Sequence, residues 1–544
     1  MEPRNNSKIV ITNDDLTISE LVAVSRENAF VEIGDDIKDA VHASRAAVDE
    51  MVASKQVVYG ITTGFGSFSD RVISPEETTE LQHNLIESHA CGVGKPLPVD
   101  VVRAMILLRV KSLTQGYSGI RLSTIEKLIE LLNKGVTPVV PEKGSLGSSG
   151  DLCPLSHMVL PILGKGEAYF NGERLDGETA MARAGIEIIS LEAKEGLALN
   201  NGTQCMTAVA ALAVFDALHL LESAEMAAAL TFEALNGRDD AFDPKIHKLR
   251  RQNGQEESAR RMLEHTSNST FLSRPEKGQE HIRVQDAYSL RCIAQVHGAS
   301  RDAINYVVEA IKREMNAVTD NPLIFINPEY MGNDTPQVEA ISGGNFHGQP
   351  VALAMDFLAI AVSELANISE RRMERLLNDR LSNGLPSYLM AERGGLHSGF
   401  MIVQYSAAAL VSENKVLSHP ASVDSIPSSN NHEDHVSMGT IAARKAAEII
   451  ENVCNVIAME MLSAAQAVDL RLIKSDWTGT HDKPKWLGET PSNLGDGTGK
   501  LYNEVRRRVS PMMRDRVIAP DIAATAEIIK SGVLTDELVR QRIC

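Results

Sequence analysis

The segment Gly144–Met158, GSLGSSGDLCPLSHM, contains a triplet able to turn its own backbone into a reactive group. In Ser148-Ser149-Gly150 the amide nitrogen of Gly150 has the carbonyl carbon of Ser148 two residues back as a target, and Ser149 between them has a hydroxyl to lose as water. Two dehydrations give a 4-methylidene-imidazol-5-one, an electrophilic ring that needs no external cofactor. Glycine suits the attacking position because it has no side chain in the way and tolerates strained dihedrals. The same composition also describes a flexible turn or linker. The flank argues for a buried, held loop, because Asp151, Pro154 and His157 are interleaved with Leu152, Leu155 and Met158.

Other polar clusters offer a base and a carboxylate clamp. Tyr59 opens YGITTGFG, where glycines let backbone and ligand approach closely, although a core tyrosine with a satisfied hydroxyl would look the same. In VQDAYSLRC, Gln285, Tyr288 and Arg291 are spaced by three, which on a helix puts an amide, a phenol and a guanidinium on one face. Such a face could bind an amino-acid carboxylate, with Arg291 as the bidentate partner; an ordinary surface helix has similar residues. The run His432-Glu433-Asp434-His435 invites a metal reading, but it lacks H-E-x-x-H spacing and adjacent helical residues point apart, so no metal is expected.

The elements that must position these groups read as mainly helical. Hydrophobic residues make up 43% of the 544 residues but aromatics only 4%, so Ala, Leu, Ile, Val and Met must fill the core, as in packed helices. Cys205 to Leu235, Val351 to Asn383 and Thr440 to Ile473 each run about thirty residues without glycine or proline, enough for helices of roughly 45 Å. Their apolar positions occupy more than one face, which predicts a bundle packed on several sides. Pro350 and Asn383-Gly384 bracket the middle run. Residues 1–113 read as a smaller mixed domain with the Tyr59 loop, and residues 114–544 as the helical bundle. Asn253 to Gly278 and the stretch from Trp486 to Gly499 read as exposed loops, the first with a short helix. A net charge of -18 argues against nucleic acid and against an anionic membrane surface. The longest apolar patch, Cys205 to Phe215, is too short to span a bilayer. Widely spaced cysteines and an N-terminus without a signal-peptide core lead to the expectation of a cytoplasmic protein with reduced thiols.

Residue for residue, the Ser148–Gly150 stretch resembles the signature of the histidine and aromatic amino acid ammonia-lyases and their aminomutase relatives, with Ser148 standing where the family has alanine. The resemblance extends in order from Tyr59 to Met438. ALNNGTQ matches the family's L-N-G-T, which implies that Asn201 hydrogen-bonds the carbonyl of the ring. ISGGNFHGQP matches G-N-F-H-G and implies that Phe346 lies against the ring. VQDAYSLR matches V-Q-D-x-Y-S-L-R and implies substrate-binding roles for Gln285, Tyr288 and Arg291. The YGITTGFG loop implies a lid with Tyr59 in acid/base work. Ser88-His89 matches a side-chain pocket typical of histidine-specific members. NHEDHVSMG matches N-Q-E-D-H-V-S-M, with His432 in place of glutamine, and Glu433 is the sharper marker. A carboxylate accepts an imidazole N–H, whereas facing a phenyl ring it would be buried unpaired, at a cost on the order of several kcal/mol.

The resemblance implies a fumarase/aspartase-like helical architecture and a homotetramer whose sites draw on three subunits. It also implies a carbon–nitrogen lyase that converts L-histidine to trans-urocanate and ammonia, the first step of histidine degradation. In that reaction Tyr59 would take the β-proton, Tyr288 and Asn201 would act as an oxyanion site, and Arg291 would fix the carboxylate. Three alternatives share most motifs: an aromatic amino acid ammonia-lyase, a 2,3-aminomutase, and a non-catalytic helical scaffold in which Ser149 stays serine.

Overall fold

The computed structural model describes residues 8–64, 71, 73–74, 77–273, 284–326, 338–392, 394–476 and 491–543. Nine helices position the site: α1 (Thr78–His89), α2 (Val99–Leu113), α3 (Leu152–Val159), α4 (Glu195–Asn200), α5 (Gln204–Ala234), α6 (Ile293–Met315), α7 (Gln349–Leu377), α8 (Met401–Leu417) and α9 (Gly439–Asp476). The three uninterrupted sequence runs are α5, α7 and α9, and these pack on one another with α6 and α2 against α5. Along α5 only Phe215 and Asp216 escape full burial. A helix covered on every side has no polar face to show, which is why its sequence lacks an amphipathic stripe. One apolar cluster extends from Ile11 to Ile543.

Two clusters of buried charge inside this bundle are paired. Arg372 clamps Glu460 through both carboxylate oxygens, at 2.5 and 2.8 Å, and Thr231 donates to the same group at 2.8 Å. Arg301 bridges Glu222 at 2.8 Å and Glu225 at 2.6 Å. Removing one partner of such a pair would strand the other charge, costing about 3–5 kcal/mol.

By length and composition α5, α7 and most of α9 are apolar enough to cross a membrane, unlike the short patch read from the sequence. Their most apolar windows are 89%, 72% and 94% buried within the fold, so neighbouring helices already cover that surface.

Small sheets do the local positioning. Lys8–Ile11 pairs in parallel with Phe30–Ile33. Val93–Pro96 pairs antiparallel with Pro141–Lys143, which brings the end of α1 to the loop that begins at Gly144. Leu323–Ile326 pairs with Val338–Ile341 and sets Ser342-Gly343 beside Asn321, whose Oδ1 accepts from the Gly343 N–H at 2.7 Å.

Two boundaries differ from the sequence reading. α7 begins with Pro350 in its first turn as expected but stops at Leu377, not at Asn383-Gly384. The Asn378 side chain accepts the Arg380 N–H at 3.1 Å, a local turn that competes with the next helical hydrogen bond. The polar stretch after Asn253 forms a helix to His265 that buries Ala259 and Met262 against α6. Trp486 lies outside the described residues, and a helix already starts at Asp496.

Candidate active site

A cavity of about 1100 Å³ gathers Tyr59, Ser88, His89, Ser148, Ser149, Asn201, Phe346 and Glu433, residues drawn from six separated stretches of chain. Gly150 is buried beneath it.

The loop at its floor is held as the flanking residues predict. Asp151 is fully buried at the starts of two central helices. One carboxylate oxygen accepts the Met206 N–H at 2.8 Å, in the first turn of α5. The other accepts the Ser145 hydroxyl at 2.8 Å and the Thr440 hydroxyl from the first turn of α9. The free N–H groups of a helix start favour an anion there. Burial raises the pKa of Asp151 above the usual carboxylate value even though these hydrogen bonds pull it down. His157, from the same flank, accepts the Gly92 N–H at 3.0 Å and so ties the loop's helix to the chain after α1.

Gly150 has φ +76°, and a Cβ there would stand 2.1 Å from the Gly202 carbonyl oxygen. Only glycine fits both the dihedral and the contact. The Gly202 N–H donates to the Ser149 carbonyl at 3.3 Å, and the Asp151 N–H donates to the Gly202 carbonyl at 2.6 Å. The resemblance implies that the Asn201 side chain contacts the ring carbonyl. Instead its amide donates to the Asn321 carbonyl at 3.1 Å, and the N–H of the following residue reaches Ser149. Its Oδ1 is buried without a partner.

On the wall, the Ser149 hydroxyl donates to Glu433 Oε1 at 3.2 Å. Glu433 is held by Ser428, whose hydroxyl donates to Oε2 at 3.2 Å and whose N–H donates to the Glu433 carbonyl at 2.8 Å. His432 lines the cavity beside this carboxylate. Ser88 Oγ lies 3.1 Å from His89 Nδ1. Burial lowers the pKa of His89 and so favours its neutral form, against the opposing pull of Glu433. Tyr59 sits in a turn whose next residue, Gly60, has φ +67°.

Gln285, Tyr288 and Arg291 do not line this cavity. They also share no long helix face, because the helix there spans only Tyr288–Arg291 and Gln285 precedes it. Asp286 sets that start: its carboxylate accepts the Arg238 N–H at 2.7 Å and its carbonyl accepts from Arg291 Nε at 3.0 Å. Tyr288 is 71% exposed, with the Arg291 guanidinium 4.5 Å from its ring centroid. Among the described residues no three side chains of metal-ligating type converge.

The sequence reading missed several cavity residues: Arg71, Asn84, Asn321 and His347, whose ring stacks 5.6 Å from that of His435, a residue weighed there only as a metal ligand. It also missed Arg109, fully buried in α2. The one sequence signal for Arg109 is a charge inside the apolar run AMILLRV.

Comparison with known proteins agrees with this geometry. A family model described as aromatic amino acid lyase matches residues 16–507. A histidine ammonia-lyase of Alkaliphilus oremlandii is 54% identical over 97% of this chain and 98% of its own length. The crystal structure of histidine ammonia-lyase from Trypanosoma cruzi superposes with a TM-score of 0.84 at 40% identity, covering 99% of this chain and 96% of that one. Tyrosine aminomutase from Streptomyces globisporus superposes at 0.87 with 35% identity, covering 98% of each chain. With its loop, its cavity and nearly its whole length matched, this chain belongs to the aromatic amino acid lyase family.

Proposed function

We propose that this protein is a histidine ammonia-lyase, releasing ammonia from L-histidine to leave trans-urocanate. The observation that carries the choice of substrate is the Glu433 carboxylate, 3.2 Å from Ser149 Oγ and in the same cavity as His89. A substrate whose amino group reaches Ser149 would bring its side chain within range of that carboxylate. An imidazole N–H satisfies it; a phenyl ring leaves a desolvated charge unpaired. Burial favours neutral His89, which leaves a ring nitrogen for a second imidazole contact.

The residues fit a ring formed from Ser148, Ser149 and Gly150. The close Gly150–Gly202 approach admits no Cβ, and the Gly202 N–H is aimed at the Ser149 carbonyl. Once formed, the ring supplies the electrophile that makes the substrate nitrogen a better leaving group. Tyr59 holds the base position at the cavity wall, and Glu433 and Ser88-His89 orient the side chain. We place Gln285, Tyr288 and Arg291 in the site of a neighbouring copy within a homotetramer. The exposure of Gln285 and Tyr288 in one chain supports this reading, as does the lack of a carboxylate clamp among the family-matched residues of the cavity. A cytoplasmic location is our proposal on the free thiols of the described cysteines.

The test is a product assay on purified protein with L-histidine, L-tyrosine and L-phenylalanine separately, following conjugated acrylate absorbance and ammonia together. Product from histidine alone is expected. Product from the aromatic substrates would keep the electrophile and overturn the role of Glu433, and β-amino acid without free ammonia would make the protein an aminomutase.

A further inference from the structure

Arg109 is a buried cation that the reading above does not use. It is 0% exposed, and among the described residues no ion pair to it is found. Asp320, whose field reaches it, is already paired with Lys194 at 2.6 Å. Its donors go to neutral oxygens: Nη1 to the Asn201 carbonyl at 2.8 Å and to Gln204 Oε1 at 2.7 Å, and Nη2 to the Ala198 carbonyl. A neutral donor would satisfy the last carbonyls of α4 equally well. Burying an uncompensated charge is costly, so the charge itself calls for a use. Burial brings the guanidinium down to about 10, which leaves it protonated at neutral pH.

The Asn201 carbonyl belongs to the same peptide unit as the Gly202 N–H, which donates to the Ser149 carbonyl at 3.3 Å. Gly202 is also pressed against the cation, because a Cβ there would stand 2.5 Å from Arg109 Nη1. Drawing electron density toward the oxygen of a peptide makes its N–H a stronger donor, and hydrogen bonds in series polarise one another.

We propose that Arg109 is a positioning residue that polarises the Asn201–Gly202 peptide and thereby strengthens the hydrogen bond to the Ser149 carbonyl oxygen. The proposal rests on the ring reading, in which that carbonyl becomes the carbonyl of the ring. When a nucleophile bonds to the exocyclic carbon, the carbon–carbon π pair shifts toward this oxygen, and a proton from solvent later neutralises it. A donor fixed there in advance meets the developing charge without reorganisation. Arg109 touches neither substrate nor ring and acts through one peptide.

The test reads the electrophile itself. Full-length protein, Arg109→Met, Arg109→Lys and Gln204→Glu are compared by intact mass, by near-ultraviolet absorbance, and by the rate at which cyanide adds to the ring without substrate. Gln204→Glu keeps Arg109 but sets a carboxylate against it. In protein that has lost two waters, cyanide addition is expected to slow about tenfold in Arg109→Met and in Gln204→Glu, and to recover largely in Arg109→Lys. With histidine, kcat should fall in parallel while KM stays unchanged. Native cyanide rates in Arg109→Met or in Gln204→Glu, with the two-water deficit intact, would overturn the proposal. If Arg109→Met does not fold, Gln204→Glu decides alone. Wild-type protein at its full sequence mass would overturn the ring reading and this proposal with it, and the mass measurement distinguishes that failure from the first.

Discussion

The loop around Ser149 and the surface patch around Arg291 are built in opposite ways. At the loop, Asp151 is fully buried, Gly150 packs on Gly202, and the backbone groups that meet there are paired within one chain. At the patch, Tyr288 is 71% exposed and Arg291 rests on its ring, with the cavity elsewhere. A group that must react with its own backbone has to be fixed before anything binds. A group that grips a carboxylate is useful as soon as some other surface presents a pocket to it. In the function proposed above, a single chain makes its own electrophile and assembly completes the grip on substrate.

The largest expected effect breaks the loop side of this contrast. Ser149→Ala should lower kcat by at least about 1,000-fold, or ~4 kcal/mol, while size-exclusion chromatography shows an unchanged assembly. Retained activity would rule out the ring. Next, Arg291→Gln should lower kcat/KM by about 10–100-fold through the loss of a charge-assisted contact, with the two-water mass deficit intact. Co-expressing Ser149→Ala with Arg291→Gln sharpens the point. If the patch serves a neighbour's cavity, mixed assemblies regain activity that neither variant has alone, and no recovery would put both groups in one chain's site. A smaller effect is expected for Glu433→Gln, which should reduce the preference for histidine over tyrosine by about tenfold in kcat/KM.

The remaining effect is on stability and concerns pH. Burial holds His219 below the ordinary histidine value and His297 well below it. The unfolded chain therefore takes up these protons first as pH falls. Stability from these groups is intact above about 6.5 and is lost as pH drops below it, by about 1.4 kcal/mol per pH unit for each group that titrates. Thermal melts from pH 7.5 to 5.5 should show a falling midpoint, and a flat profile would mean these histidines are not buried in solution.

Much of this was legible in the sequence where the signal is contiguous. The three long helices show as runs without glycine or proline, and the ring loop shows as Ser-Ser-Gly flanked by alternating apolar residues. The gathering of Tyr59, His89, Asn201, Phe346 and Glu433 followed from resemblance, since no periodicity links residues so far apart. Partners fixed by tertiary contact stayed hidden. Ser428 holds Glu433 from a turn with left-handed residues at Ser429, Asn430 and Asn431, a geometry no spacing rule gives. Spacing by three suggested a helix face for Gln285, Tyr288 and Arg291, but Asp286 spends its carboxylate on the Arg238 backbone and the helix starts too late to include Gln285.

The Asp151 junction has a further consequence for how the molecule opens. Its carboxylate joins the first turns of α5 and α9, the two helices at the centre of the bundle, to the loop that holds Ser149. A segment tied at such a crossing has no private route to local unfolding, because releasing it frays two core helices at once. Amide exchange at Asp151, Gly202 and Met206 should therefore keep pace with global unfolding, and proteases should find the loop only when the whole bundle has come apart.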